Sequence, residues 1–294
     1  MRDLSSLFAV RPLLYPPSLQ YVTSPLSSPL CSCDLSFSTV RDLSSFPTVR
    51  DLSSLFAECD LSSLSEFVTS PLSSLSPQYV TSPLSSHHIA GSPHSVHILL
   101  EGYCRDVGVD RFQADGSVTL VRGPLTVLVD TAGPWSRDFI LDALRSHGVS
   151  PEDVTHVICT HGHSDHVGNL NLFPNAEILV SYDLWRDGSY VSHNFRSGEP
   201  YLLPGGEGLK VVPTPGHTGS DITLLVPGTT LGTVAVAGDV FEREGDEDTW
   251  RELSENPEVQ EKSRRNLLGL ADVIVPGHGP PFRVIRAGQE HVTS

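Results

Sequence analysis

The sequence predicts one α/β sandwich over residues 91–294, preceded by a low-complexity region over 1–90 that carries no core. Residues 1–90 repeat short Ser- and Pro-rich units. From Gly91 onward, short β-rich runs alternate with turn signals, and two helical stretches interrupt them. Many strands with few helices in 204 residues fit packed sheets with helices outside.

In the first region "RDLSS" occurs at 2–6, 41–45 and 50–54, and "YVTSPLSS" at 21–28 and 79–86, with "FVTSPLSS" at 67–74. A fixed repeat period marks a solenoid. Here the spacing is irregular and no helical or alternating apolar period accompanies it. Such a segment buries too little apolar surface to offset its ordering entropy, so disorder is expected.

The runs that follow are "SVHILLEGY" (95–103), "SVTLV" (117–121), "LTVLVD" (125–130), "VTHVICT" (154–160), "AEILVS" (176–181), "LKVVPT" (209–214), "ITLLV" (222–226), "TVAVAGD" (233–239) and "ADVIVPG" (271–277). "SRDFILDALRSHG" (136–148) puts Phe139, Ile140, Ala143 and Leu144 on one helical face, with Gly148 as its stop. "NPEVQEKSRRNLLGL" (256–270) opens with an Asn cap and a Pro in its first turn.

The net charge is −16. With the seven acids and four bases of 1–90 set aside, 28 acids and 15 bases remain, or −13. Lys and Arg drive non-specific RNA binding, so this balance opposes it. "EREGDEDTWRE" (242–252) reads as an acidic loop, while "KSRR" (262–265) and "RVIR" (283–286) could form a basic rim. Five cysteines, at 31, 33, 59, 104 and 159, form no Cys-x-x-Cys pair; a reducing compartment is expected, with Cys159 as a buried hydrophobe. No stretch reads as a membrane span or a signal peptide, so a soluble, intracellular protein with no membrane partner is expected.

The chemistry starts at "CTHGHSDHVGN" (159–169), which holds three histidines and an aspartate within His161 to His166. Side chains at i and i+2 of an extended chain point the same way, so His161 and His163 can converge on one ion. Asp165 and His166, past the turn, are free to face a second. Imidazole and carboxylate are the ligands of catalytic zinc. Three later strands end in the same design: "VVPTPGHTGSD" with His217, "VAVAGDVF" with Asp239, and "VIVPGHGPPF" with His278, each beside glycine. Strand ends on one edge of a sandwich are neighbours, so these loops can meet around the hexapeptide.

The pattern His-x-His-x-Asp-His, followed by His, Asp and His at strand-end turns, resembles the metallo-β-lactamase superfamily. The resemblance implies a four-layer αβ/βα sandwich with two Zn2+ per chain at one edge. His161, His163 and His217 would hold one ion, Asp165, His166 and His278 the other, and Asp239 would bridge them. In "LTVLVDTAGPW", Asp130 would support the metal loop from behind. "LVDTAGPW", "THGHSDHVGNLNLFP", "GTVAVAGDVFEREGDEDTW" and "ADVIVPGHGPPFRV" further resemble the glyoxalase-II-like branch and, within it, a zinc endoribonuclease line acting on histone pre-mRNA 3′ ends. That likeness covers about 95–287 and none of the repeats. It implies RNA as partner, a homodimer, and residence in cytosol and nucleus.

Two zinc ions sharing Asp239 and a water would bring that water's pKa near neutrality, and Asp165 would serve catalysis by orienting it. His193, in "YVSHNF", reads as a loop residue rather than a proton donor. Two other readings compete. A small-molecule thioester or lactone hydrolase fits the acidic balance, although the sixteen residues after His278 leave no room for the helical substrate domain of glutathione thioesterases. A non-enzymatic interaction protein is opposed by the full ligand set.

Overall fold

The computed structural model describes residues 79–286. In chain order the strands begin β1 (Tyr79–Pro83), β2 (His88–Ile89), β3 (Ser95–Leu100), β4 (Tyr103–Gly108), β5 (Arg111–Asp115), β6 (Val118–Arg122) and β7 (Thr126–Val129). Helix α1 (Arg137–Ser146), β8 (His156–Cys159) and the one-turn helix α2 (Ser164–Val167) follow. Next come β9 (Glu177–Val180), β10 (Asp183–Arg186), β11 (Ser189–Val191), β12 (Tyr201–Leu202) and β13 (Lys210–Pro213). The last elements are β14 (Ile222–Thr229), β15 (Gly232–Gly238), α3 (Pro257–Leu270), β16 (Val273–Pro276) and β17 (Phe282–Arg286).

One sheet has seven strands, ordered β1-β17-β16-β15-β14-β13-β12, and the other has eight, ordered β11-β10-β9-β8-β7-β6-β3-β2. The hairpin β4–β5 stands apart from both. Side chains alternate across a strand, so each sheet buries two faces. On β7, Val127 and Val129 point into the shared core with Ile158, Leu224, Val234 and Val275. Leu128 between them points outward to Ile140 and Leu144 of α1. On the far side, Ala235 and Ile274 meet Leu267 of α3. Helix, sheet, sheet, helix is the α/β sandwich the strand pattern predicts, in the four-layer αβ/βα form that the resemblance implies.

Both helices lie close to their expected spans. Asn256 accepts from the Val259 amide at 3.2 Å and starts α3 as a cap. Ser136 does not cap α1; its hydroxyl donates instead to Asp115. Among the described residues no helix is long and apolar enough to cross a membrane. Cys159 is buried, as expected of a small hydrophobe, and is a free thiol.

The region expected to be disordered divides at its end. Residues 1–78 lie outside the described residues. Residues 79–90 belong to the sandwich: β1 pairs antiparallel with β17, and Ile89 is 1% exposed within the shared core. The domain therefore starts ahead of residue 91. A last "YVTSPLSS" copy serves as an edge strand, where backbone pairing needs no apolar alternation and Pro83 is tolerated.

Parallel pairing sets the position of the site. β7, β8 and β9 run parallel to one another, as do β15 and β16. Asp130, Thr160 and His161 leave one sheet at its carboxyl edge, and Asp239 and His278 leave the other in the same way.

Candidate metal centre

Past β8 the chain bends at Thr160 and His161, is extended again at His163, and then turns into α2. His161 Nε2 and His163 Nδ1 approach to 2.9 Å, and His217 Nε2 lies 3.1 Å from the same His163 atom. The turn of α2 carries Asp165 and His166, and Thr131 pins it by donating its amide (2.8 Å) and hydroxyl (3.1 Å) to the His166 carbonyl.

The remaining ligands arrive on loops held by α3 and by glycines. Gly216 sits at φ +143°, and a Cβ there would collide with Gln260 of α3, so the His217 loop can lie flat on the helix. Gln260, fully buried, donates from Nε2 to the Asp239 carbonyl at 3.0 Å. A Cβ at Gly277 would strike the Asp239 carboxylate, so glycine lets β16 end against it.

Asp239 lies at the centre. Its Oδ2 is 3.5 Å from His161 Nε2, 3.4 Å from His217 Nε2 and 3.2 Å from His278 Nε2. Its Oδ1 is 3.2 Å from His166 Nε2. Asp165 Oδ2 lies 3.9 Å from His166 Nε2 and 3.8 Å from His278 Nε2. Donor atoms of His161, His163, His217 and Asp239 fall within 4.8 Å of one another, and so do those of Asp165, His166 and His278. The structure thus brings all seven sequence-predicted ligands together, and a third group within the same distance, Asp239, Glu242 and His278, overlaps them. His163 is exposed and Asp165 partly so, and these two line the open side.

The outer nitrogens explain why these rings face inward. Asp130 Oδ1 accepts from the Thr160 amide at 2.7 Å, and its Oδ2 accepts from the Thr160 hydroxyl at 3.0 Å. That hydroxyl, its proton committed, accepts from His161 Nδ1 at 3.1 Å. Asp130 Oδ2 also accepts from His166 Nδ1 at 2.8 Å. The Asp115 carbonyl accepts from His278 Nδ1 at 3.2 Å. These acceptors assign three imidazoles the tautomer with an Nε2 lone pair turned inward. Asp130 supports both ligand groups, one directly and one through Thr160.

Three lone pairs and a carboxylate converging in a buried space repel one another until a cation enters. His166 Nε2 and Asp239 Oδ1 are both buried, close to each other, and aligned for no hydrogen bond. Burial disfavours a charged His166, yet Asp239 and Asp130 outweigh it and hold its pKa well above the ordinary value. Against the same burial penalty, Asp239 pushes His278 up to about 9. Burial also opposes the Asp239 charge, but His166, His278 and His161 hold its pKa well below the carboxylate range. Burial pushes His161 and His217 the other way, below the ordinary imidazole value, so these two stay neutral while His166 and His278 face Asp239 as the pair that takes up positive charge. The residues fit a pair of divalent ions, and the nitrogen-rich, thiolate-free donor set suits catalytic zinc.

Sequence reasoning missed several residues here. Asn169 Nδ2 donates to the Thr131 and Gly133 carbonyls, each at 2.8 Å, and so fixes the loop behind His166. Asp221 accepts from the Gly216 and Thr218 amides, at 3.1 and 2.7 Å, and braces the His217 turn. Glu242 was counted in an acidic loop, yet it is 5% exposed beside the ligands. Burial, and then the charge of Asp239, push it up to about 8; a bound dication reverses that balance. Only its position three residues past Asp239 could have signalled it.

The rest of that loop is only partly solvated. Trp250 is buried, Asp246 Oδ1 accepts from the Thr249 amide at 2.9 Å, and Arg264 lies 4.6 Å over Trp250 while donating to the Val240 and Asp246 carbonyls. Arg264 is therefore no part of a basic rim. Arg265 pairs with Glu261 and Arg286 with Asp272. His193 packs against Phe195 and Tyr201, with Nε2 3.0 Å from the Glu199 carbonyl.

Residues 113–278 match the metallo-β-lactamase superfamily. The chain is 76% identical over 212 residues to metallo-β-lactamase domain-containing protein 1 of Xenopus laevis, covering 72% of this chain and 91% of that one. To the Homo sapiens protein of the same name it is 49% identical over 255 residues, covering 76% and 92%. A hydroxyacylglutathione hydrolase of Saccharophagus degradans is 29% identical over 153 residues, covering 48% and 49%. With this match over more than half its length, and with that site at the carboxyl edges of a four-layer sandwich, the chain belongs to the metallo-β-lactamase superfamily.

Proposed function

We propose that this superfamily hydrolase is a zinc-dependent endoribonuclease that cleaves RNA phosphodiesters in histone pre-mRNA 3′-end processing. It would act with two zinc ions per chain, as a homodimer, in cytosol and nucleus. The observation that carries the hydrolytic reading is Asp239, whose two oxygens face four imidazoles drawn from both ligand groups. The choice of RNA rests on the resemblance of the stretches between 95 and 287.

Two bound zinc ions would supply Lewis acidity and a water acidified to near neutrality. The chain's own residues do the rest. His161, His163 and His217 hold one side of the site, His166 and His278 the other, and Asp130 keeps His161 and His166 turned inward. Asp165, on the open side, would complete the ligands of the second ion and align the attacking water with the substrate. Burial of all but His163 and Asp165 confines the substrate to one approach.

A second reading, hydrolysis of a small thioester or lactone, is favoured by charge. Glu242 adds a third carboxylate beside Asp239 and Asp165, and the chain from residue 91 carries −13. Such a field disfavours an extended polyanion. The full chain, loaded with zinc, is to be assayed side by side on histone pre-mRNA, an unrelated RNA, a thioester and a lactone. Preferential cleavage of the histone pre-mRNA supports the proposal. Turnover of thioester or lactone with intact RNA replaces it with the second reading.

A further inference from the structure

We propose that Glu242 is a positioning residue of the metal centre, holding His217 from behind so that its Nε2 faces the ions. The inference rests on the metallo-hydrolase reading above. Of the four ligand imidazoles that turn Nε2 inward, three have a fixed partner on Nδ1: Thr160 for His161, Asp130 for His166, and the Asp115 carbonyl for His278. His217 is the fourth. Its Nδ1 is buried and without a hydrogen bond, and the Glu242 carboxylate faces it with Oε1 at 3.7 Å. Glu242 Oε1 is likewise buried and unpartnered. Two buried polar atoms of complementary kind, each otherwise unsatisfied, carry a desolvation penalty that a short approach would remove.

The backbone around Glu242 fixes that placement. Its carbonyl accepts from the His278 amide at 2.8 Å, and the neighbouring Phe241 carbonyl accepts from Gly277 at 2.9 Å. Behind it, Arg264 ties Val240 and Asp246 together through their carbonyls. The carboxylate therefore stands between the Asp239 and His278 loops with little freedom to leave. Its second oxygen lies 3.9 Å from His278 Nε2, so direct ligation of the second ion is the competing role. The closer approach of Oε1 to an imidazole nitrogen that faces away from the ions favours the positioning role. Carboxylate partners of metal-bound histidines typically change metal affinity by about 10–100-fold.

The test compares zinc content, zinc affinity by chelator competition, and the ¹H–¹⁵N signals of the His217 ring in wild type and Glu242→Gln. A wild type with two zinc ions and a hydrogen-bonded His217 Nδ1–H is expected. Glu242→Gln should keep both ions at saturation and weaken one of them by about 10–100-fold, with the melting temperature after chelation unchanged. Unchanged affinity in a folded variant overturns the inference, and so does a fall to one ion, which marks Glu242 as a direct ligand. If the variant does not fold, the wild-type His217 signal decides alone: a solvent-exchanging or absent Nδ1–H overturns it. A wild type that binds no zinc sinks the metallo-hydrolase reading and this inference with it.

Discussion

Five imidazoles meet on the loops that follow β8, β13 and β16, and three others, His88, His97 and His147, gather at the outer edge of the eight-stranded sheet. Ring spacing does not distinguish the groups. Centroids lie 4.2 to 5.6 Å apart in the first, and 4.5 and 5.2 Å apart in the second. Nitrogen direction does. In the first group, acceptors on the outer nitrogens turn lone pairs toward Asp239. In the second, His88 and His97 stack face to face at 17°, and the charge beside them is Arg122, not a carboxylate. His147 donates from Nδ1 to the Ala143 carbonyl of its own helix at 2.8 Å. A metal site is therefore defined by what stands behind and between the rings.

The largest effect should come from a carboxylate between the rings. Asp165→Asn removes a negative ligand at nearly constant size. If two zinc ions are bound as proposed, the group around His161, His163, His217 and Asp239 should keep its ion, the fold should persist and one zinc should remain. Hydrolysis should fall by several orders of magnitude, because nucleophile and leaving group both depend on the second ion. In the stacked cluster, His147→Gln should leave hydrolysis at the wild-type rate. Parallel zinc analysis and rate measurement check both; an Asp165→Asn protein with two zinc ions and most of its rate would refute the assignment.

A carboxylate behind the rings comes next. Asp130→Asn presents an amide that cannot accept from both Thr160 and His166, so both inward tautomers loosen. Zinc affinity and activity should each drop by about 10–100-fold. Titration against a competing chelator measures this, and equal affinity in variant and wild type would show that Asp130 serves the fold alone.

The candidate ligands were legible because four of them crowd one hexapeptide straight after an apolar run, and the other three each end an apolar run with glycine beside them. His161, His163, Asp165, His166, His217, Asp239 and His278 could all be read from the chain. Asp130 was legible as a strand-end acid, but only through family likeness. Glu242 was not, because four neighbouring acids in "EREGDED" disguise the one that turns inward, and its inward turn depends on contacts with the Gly277–His278 loop far along the chain. The layers followed from valine- and leucine-rich runs such as "LTVLVD". The hairpin β4–β5 did not, since Phe112 and Val107 on it are exposed and no core face imposes a period. β1 was hidden for a similar reason: the same eight residues occur at 21–28, and pairing with β17 is a property of place.

Truncation separates the clusters by stability. A chain starting at residue 79 keeps β1, β2 and His88; one starting at 91 loses all three together with Ile89. Burying an isoleucine is worth about 1.5–3 kcal/mol, and the loss of the β1–β17 pairing adds to it. The shorter protein should melt several degrees lower, yet retain its zinc when folded. The longer one should match the full chain in both. Thermal unfolding beside zinc content tests the pair, and equal melting temperatures for the two truncations would deny β1 its place in the sheet.

The smallest effect belongs to the stacked cluster and is a matter of pH. Burial first, then the charges of His88, His147 and Arg122, lower the His97 pKa from its ordinary 6.5 to about 4. The folded state thus binds this proton less readily than the unfolded chain does. Above pH 6.5 both states hold a neutral imidazole, and the contribution to stability is fully present. As pH falls from 6.5, the unfolded state takes up the proton first, and stability is lost progressively until about pH 4. His97 is only half-buried, so solvent screening keeps the effect modest. Acid also releases bound ions by protonating their imidazole ligands. The informative quantity is therefore a difference: the drop in melting temperature between pH 7 and pH 5, compared in wild type and His97→Gln. The variant should lose less over that interval while binding the same amount of zinc at pH 7. An equal drop in both would mean that all acid sensitivity resides in the metal centre, and the stacked histidines would then be packing and nothing more.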